Sequence, residues 1–482
     1  MIAAEKKTEI LTSSKTLLAD TVTPVSLFLR LRDRFPGALL LESSDYHGQE
    51  NSYSFICLGK LAGVQLDGDE LVFELPEGKK EKKAVTDRQK LVQYLEEFFG
   101  RYQASGKAGP ARSLNGFFGY SAYGAVQYFE SIRLERREAP ERAIPLLRYH
   151  LPRFVLAINH FDNTMTAIEN RLAEMEAQLP ALLELLNVAP VPGFPFRRIG
   201  EEKSTISDGH YLEMVERGRH YCQRGDVFQI VLSRPFSQQF QGDDFNVYRA
   251  LRSVNPSPYL FYFDYSDYRI FGSSPEAQVR LGKDADGRRL ARINPIAGTF
   301  PRTGDDATDR AAAEALAADP KENAEHVMLV DLARNDLNRL CRKVRVETFR
   351  EVQFYSHVIH LVSEVAGELP EDCSAMRLLA ETFPAGTLSG APKYRAMELI
   401  DEIEAEGRSF YGGCVGFFTF DGAANHAILI RSFLSKGNRL HYQAGAGVVK
   451  HSVPERELQE VFHKIGALRK AIVQAERLAR GS

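Results

Sequence analysis

Strand-like and helix-like runs succeed one another along these 482 residues without the strict alternation that a doubly wound parallel sheet requires. Short alternating or apolar runs predict strands at Ala38–Glu42, Ser52–Leu58, Glu70–Leu75 and Arg153–Asn159. Helical patterns lie between them at Pro24–Arg34 and Arg88–Phe99, and a Leu/Glu/Ala-rich run covers Ala173–Asn187. Further along, a helix is predicted around Ser207–Arg224, then strands at Val227–Leu232, Tyr259–Tyr265 and Tyr268–Gly272. A long helix at Lys321–Leu340 follows, with strands near Val415–Phe420, Ala427–Leu434 and Arg439–Ala444 and a last helix over about Val453–Glu476. Mixed order of this kind predicts an α+β fold.

The clearest seam is Ala189–Phe196, where three prolines exclude a helix and predict an extended linker. The expected organisation is an N-terminal lobe over 1–188, a linker over 189–206 and a second region over 207–476. At this length a single small core does not suffice, so one large domain or two closely packed lobes is expected. A formal net charge of -3 provides no general basic field for nucleic acid or an anionic membrane surface. The basic run Lys79–Lys83 follows a Pro-Glu-Gly turn and reads as a solvated loop. Five scattered cysteines without CxxC spacing read as free thiols of a reducing compartment. The N-terminal MIAAEKKTEILTSSK lacks the apolar stretch of a secretory signal, and no run of 18 apolar residues predicts a membrane span. A cytoplasmic protein is the expectation. The chain contains no tryptophan.

The segments richest in chemistry lie beyond the seam. EHVMLVDLARNDL (Glu325–Leu337) has its apolar residues Val327, Leu329, Val330 and Leu332 at helical spacing. Alone it reads as a packed helix with a solvated acidic face. In SVPERELQE (Ser452–Glu460), Ser452 and Glu455 have capping-box spacing and Pro454 suits a first turn. Glu457, Glu460 and Lys464 then share one helix face, whose plain reading is Glu460–Lys464 pairing. Carboxylates from two helices would also suit Mg²⁺, a hard ion that takes oxygen ligands. Glycine-rich turns at Pro295–Thr299, Pro384–Lys393, Tyr411–Gly416 and Gln443–Val449 let backbone approach a ligand or cradle an anion. Arg431 ends the apolar run from Ala427, and an arginine there calls for a bidentate carboxylate. His360 lies in an apolar segment with His357, where a histidine is more often a satisfied core residue than a catalyst.

Taken in order, GDVFQIVLS (Gly225–Ser233), SPE (Ser274–Glu276), PIAGT, EHVMLVDLARND, PAGTLSGAPK and QAGAG closely resemble the chorismate-binding enzymes across about Ser207–Ala471. That family includes anthranilate, aminodeoxychorismate, isochorismate and salicylate synthases. The resemblance implies two β-sheets packed face to face with helices outside, chorismate as substrate and Mg²⁺ as cofactor. It implies Glu325 and Glu460 as metal ligands with Glu457 close by, Glu276 as general acid, and His360 as the histidine of the pyruvate-eliminating half. Arg431, Tyr411 and the Gly445, Ala446 and Gly447 amides would grip the enolpyruvyl carboxylate, with Gly298, Thr299 and Thr387 lining the ring site. LLES (Leu40–Ser43) and NPSPY (Asn255–Tyr259) resemble tryptophan-feedback elements, which implies Glu42, Ser43, Pro258, Tyr259 and Leu260 as a tryptophan pocket. Asn51 and Ser52 stand near where many relatives carry a basic residue, and Leu260 replaces a common methionine.

Two positions discriminate within the family. Isochorismate and salicylate synthases carry a water-activating lysine where this chain has Gln229. Aminodeoxychorismate synthases carry a nucleophilic lysine where it has Ala297. Glutamine with alanine points to the chorismate-converting subunit (component I) of the anthranilate synthase branch, a lyase inhibited by tryptophan. The resemblance leaves no room for a glutaminase domain after the catalytic region, so ammonia is expected from a separate glutamine amidotransferase subunit in a hetero-oligomer. The alternatives are aminodeoxychorismate synthase component I, an enzyme stopping at the aminated intermediate, or a catalytically silent tryptophan-binding subunit.

Overall fold

The computed structural model describes residues 7–43, 52–105, 109–188, 193–354 and 358–478. Asn51 and His357 lie outside these residues, and so do residues 189–192 of the expected linker. Two strands organise the fold, Tyr53–Asp67 and Leu147–Asn159, antiparallel to each other along their whole length. The ladder slips at Lys60/Ala62, beside Gly59 at φ +61°. A bulge of this kind bends and twists both strands, so each half can belong to a different sheet.

Beyond the bend, Tyr53–Leu58 pairs with Leu39–Ser43, and Phe154–Asn159 pairs with Thr164–Arg171. From Leu39–Ser43 the first sheet continues through Tyr259–Asp264, Tyr268–Ser274, Ser432–Lys436, Arg439–Val449, Gln229–Gly242 and Phe196–Lys203. On the other side of the bend, Gly63–Asp67 pairs with Glu70–Glu74, and Phe118–Ser121 pairs with Leu147–His150. From Gly116–Ser121 the second sheet runs through Cys414–Thr419, Ala424–Ile428, Ala277–Lys283, Arg289–Ile293 and Val358–Glu368. Strands from both sides of the sequence seam therefore join in both sheets, meeting where Leu39–Ser43 pairs with Tyr259–Asp264 and where Gly116–Ser121 pairs with Cys414–Thr419. Phe196–Lys203, expected within a linker, is itself a strand laid along Gln229–Gly242.

The inner faces meet in an aromatic layer that includes Phe55, Phe118, Tyr120, Phe261, Phe263, Tyr268 and Val415. There the Tyr120 and Tyr268 hydroxyls satisfy each other at 2.7 Å. The outer face of each sheet carries helices. Pro454–Leu478 covers the first sheet with Leu458, Val461, Ile465, Leu468, Ile472 and Ala475, an apolar stripe at helical spacing. Pro320–Asn338 covers the second through His326, Leu329, Val330, Ala333 and Leu337, whereas Val327 faces outward at 47% exposure. The fold is thus α+β, two sheets face to face with helices outside.

Three local expectations change. The 173–187 helix starts only at Leu179, where the buried Glu169 carboxylate accepts the Gln178 and Leu179 amides and satisfies the helix's first donors. Lys80–Ala84 is a strand rather than a loop, paired with Glu70–Glu74 and exposed at every residue, as suits a charged sheet edge. Ser452 Oγ accepts the Val449 amide at 3.0 Å and ties off the preceding strand.

Candidate active site

A second corner joins the sheets opposite the bend. Two chains cross it side by side, Tyr268–Ser274 into Ala277–Lys283 and Ala424–Ile428 into Ser432–Lys436. Each leaves the ladder briefly, at Pro275–Glu276 and Leu429–Arg431. The Ile428 amide donates to Glu276 C=O at 3.0 Å, and the Ser273 amide to Arg431 C=O at 3.1 Å, so the crossings hold each other. The single strand expected over Ala427–Leu434 is therefore two strands in two sheets, broken at Arg431, whose φ of +48° ends the extended backbone.

Glu276 and Arg431 stand together at this corner. Thr387 Oγ1, on the short turn Gly386–Ser389, donates to Glu276 Oε1 at 3.1 Å. Burial pushes the Glu276 carboxyl up to about 8, against the opposing pull of Thr387, Lys464 and Arg431. Arg431 donates to Asn255 Oδ1 at 3.3 Å. Burial depresses its pKa, with the Glu276 charge acting the other way. Among the described residues no carboxylate lies within ion-pair distance of the Arg431 guanidinium.

His360 is buried on Val358–Glu368, its Nδ1 bonded to Gly298 C=O at 2.6 Å. A carbonyl only accepts, so Nδ1 carries the hydrogen and Nε2 is the basic nitrogen. Burial lowers its pKa; the Gly298 bond opposes that and the Arg431 charge adds to it. Gly298 itself sits at φ +67°, where a Cβ would strike Leu316. The side chain of Thr299 lies outside the described residues.

The strand Arg439–Val449 forms the opposite wall. Ser432–Lys436 flanks it only as far as Tyr442, while Gln229–Gly242 covers its other edge throughout. Gln443–Val449 thus turns one backbone edge away from the sheet, and Gly445, Ala446 and Gly447 lie in that stretch. The Gly445 amide faces the buried Tyr411 hydroxyl, and Gly445 C=O accepts from Lys464 Nζ at 2.9 Å. A Cβ at Gly447 would overlap Gln229 Nε2, so glycine is what lets Gln229 lie across the strand. From there Gln229 Nε2 donates to Glu325 Oε1 at 3.3 Å.

The other carboxylates come from the last helix. Glu460 pairs with Lys464 at 2.6 Å, and its charge reaches Tyr211 and Tyr411; Glu457 is buried beside Tyr211. Among the described residues no three His, Cys, Asp or Glu side chains form a metal-ready cluster. Of the expected carboxylates, Glu325 is instead engaged by Gln229 and Glu460 by Lys464. Such a donor set still suits Mg²⁺, which takes one or two carboxylates and keeps its remaining positions for water and substrate oxygens. Lys464 joins Glu460 to Gly445 C=O and its charge reaches Glu276, whereas sequence reasoning registered it only as the partner of Glu460.

The five expected feedback residues, Glu42, Ser43, Pro258, Tyr259 and Leu260, line one cavity of about 290 Å³ between the sheets. Strand parity sorts them. Ser43 and Tyr259 share the inner face with Leu41 and Phe261. Leu260 packs in the outer core, and the Glu42 carboxylate accepts from Tyr248 at 2.5 Å and Arg252 at 3.2 Å on the helix Phe245–Val254. Glu42 and Leu260 thus meet the cavity through backbone. The remaining walls include Tyr53, Phe55, Phe417 and Asn425, which come from distant strands and carry no local sequence signal.

Fold and corner site together define a chorismate-binding enzyme, and comparison agrees. Residues 40–470 match the chorismate binding enzyme family, and the chain belongs to it. Within that family it is 39% identical to anthranilate synthase component 1 of Thermus thermophilus, over 96% of this chain and 98% of the relative. It is 36% identical to the Aquifex aeolicus protein of the same name, over 95% and 94%. The crystal structure of anthranilate synthase component I from Streptococcus pneumoniae superposes with a TM-score of 0.76 at 29% identity, covering 94% of this chain and 99% of that one. The menaquinone-specific isochorismate synthase of Escherichia coli, 19% identical with a TM-score of 0.71, shares the fold.

Proposed function

We propose that the chain is the chorismate-converting component of an anthranilate synthase, adding ammonia to the ring and releasing pyruvate. The observation that carries this reading is Gln229. An amide lies against Glu325 and Gly447 where a water-activating lysine would serve the isochorismate branch. Ammonia is itself a nucleophile and needs no base at that position. Ala297, 7% exposed in the strand Ile296–Pro301, offers no nucleophile for the aminodeoxychorismate route. A silent tryptophan-binding subunit would have no use for Glu276, Thr387, His360 and Arg431 gathered at one corner.

In this reading Arg431, with Tyr411 and the Gly445–Gly447 backbone, holds the enolpyruvyl carboxylate as a charge-assisted contact. Glu276, protonated near neutral pH, gives its proton to the departing ring hydroxyl, and the Thr387 bond fixes which oxygen is turned away. His360 is neutral, with Nε2 placed to accept a ring proton as pyruvate leaves. Gly298 and Thr299 border the ring. Glu325 and Glu460, with Glu457 behind them, would hold Mg²⁺, which when bound supplies Lewis-acid stabilisation to the ring carboxylate. Ammonia comes from a glutamine amidotransferase partner, and free ammonium replaces it at high concentration. Tryptophan occupies the cavity between the sheets and inhibits.

The regiochemistry of the product is the test. With chorismate, Mg²⁺ and ammonium, chromatography against standards is expected to show the 2-amino aromatic acid, anthranilate, with one pyruvate per turnover. A 4-amino product would move the chain to the aminodeoxychorismate branch. An aminated product retaining its enolpyruvyl group would end the reaction one step earlier than proposed.

A further inference from the structure

Beside Glu276, with Arg431 not among its walls, lies a crevice of about 30 Å³, room for one ordered water. Its walls are mostly apolar, with Ile293, Leu329, Leu332 and Ala385 among them. Its polar groups are Glu276, Thr387, Gln278 and Asp336. Gln278 is 2% exposed, and its Nε2 donates to Thr382 C=O at 2.9 Å. That carbonyl can only accept, so the amide orientation is fixed and the other end of the group is the oxygen. No donor among the described residues reaches Gln278 Oε1. A buried acceptor left this way is destabilising unless a water satisfies it. Asp336 is the second acceptor. Its carboxylate takes a hydrogen bond from Lys393 Nζ at 2.8 Å, and Lys393 also donates to Thr382 C=O at 3.0 Å.

We propose that this crevice is a water site in which Gln278 Oε1 and the Asp336 carboxylate accept both hydrogens of the bound water, so that its oxygen can only accept from Glu276. Gln278 is then a positioning residue, acting on the reaction through the water. The inference rests on the reading of Glu276 as the general acid. A water with both hydrogens committed presents a lone pair to the carboxyl, which favours the protonated acid, since a carboxylate would face that lone pair without a donor. Burial raises the Glu276 pKa in the same direction. The Thr387 hydroxyl, which borders the crevice, and Lys464 and Arg431, which do not, pull the other way. On the rear the Asp336–Lys393 pair is net neutral. The water is therefore the element of the crevice that favours the acid, against the Thr387 hydroxyl that favours the carboxylate.

The test has two arms. A crystal structure of the full chain at a resolution that orders solvent is expected to show one water bonded to Gln278 Oε1 and within reach of Glu276 and Asp336. A dry crevice overturns the proposal. Gln278→Met keeps the volume and removes the acceptor, freeing a water hydrogen for Glu276. We expect its alkaline kcat limb to move down by about one pH unit and kcat near pH 8 to fall about three- to tenfold, with KM and Tm close to wild type. An unmoved limb in a folded variant overturns the positioning role. Glu276→Gln separates the two readings. Wild-type turnover in that variant would refute the general acid itself, whatever the crevice holds.

Discussion

A carboxylic acid that must give up a proton near neutral pH has to be kept from ionising, and at Glu276 burial does this. Its pKa of about 8 lies above the usual carboxylate range, so the acid form dominates below that pH and is lost above it. The expected kcat profile is accordingly level below about 8 for as long as His360 stays neutral and falls about tenfold per unit above it, measured with ammonia concentration corrected at each pH. Glu276→Gln keeps the shape and removes the proton, and initial-rate assays should find kcat lower by about 10²–10⁴. At this scale the sequence was informative wherever a residue sat inside a contiguous segment: Glu276, Thr387, His360 and Arg431, singled out from separate motifs, come together at one corner. It was silent where a role depends on strand parity or on a neighbour from elsewhere. Glu42 and Leu260 belong to the right strands but present their side chains to the outer core. Gln278 looks like any polar strand residue until Thr382 takes its amide.

Elements set the distances between these residues. Pro320–Asn338 carries Glu325 and is pinned by the Lys393–Asp336 pair, whose side chains are 10% and 11% exposed. Burial raises the Asp336 pKa against the pull of Lys393, the signature of a costly but compensated pair. Lys393→Met leaves that carboxylate alone in the interior and should destabilise the protein by about 3–5 kcal/mol, measurable by denaturant unfolding of the region. Where Gly386 meets Leu332, the same helix packs so closely on the Gly386–Ser389 turn that a Cβ would overlap the leucine. Gly386→Ala should cost about 1–3 kcal/mol and lower Tm, with turnover reduced through the displaced Thr387. Hydrophobic periodicity located these helices well, because one buried stripe is a property of the helix alone. It could not locate the break at Leu429–Arg431. An apolar run reads the same whether it stays in one sheet or passes into a second. Lys80–Ala84 failed for the opposite reason: an edge strand needs backbone pairing but no apolar residue.

The whole molecule is two sheets joined at two corners, with the proposed catalytic residues at one corner and the proposed feedback cavity between the sheets. Strands of the cavity and of the catalytic corner are shared. Tyr259–Asp264 lines the cavity and pairs with Tyr268–Ser274, which runs into Glu276. Tryptophan bound there as proposed would have a short mechanical route to the corner. The sequence carried the α+β class but not the sheet order, because the pairings join residues hundreds of positions apart, such as Gly116–Ser121 with Cys414–Thr419. The absence of tryptophan from the chain offers a direct assay, since added tryptophan supplies all the indole emission. Saturable binding with a blue-shifted emission is expected, lost in Ser43→Leu, whose added side chain enters the cavity from the inner face. No change in emission and no change in initial rate at saturating tryptophan would remove the feedback reading.

The central claim is tested most directly by incubating the purified chain alone with chorismate, Mg²⁺ and ammonium at mildly alkaline pH, with a chelated control. The account predicts anthranilate, seen by fluorescence and chromatography, and its loss on chelation. Chorismate recovered unchanged, in the presence of metal and again after addition of a glutaminase partner, would contradict it.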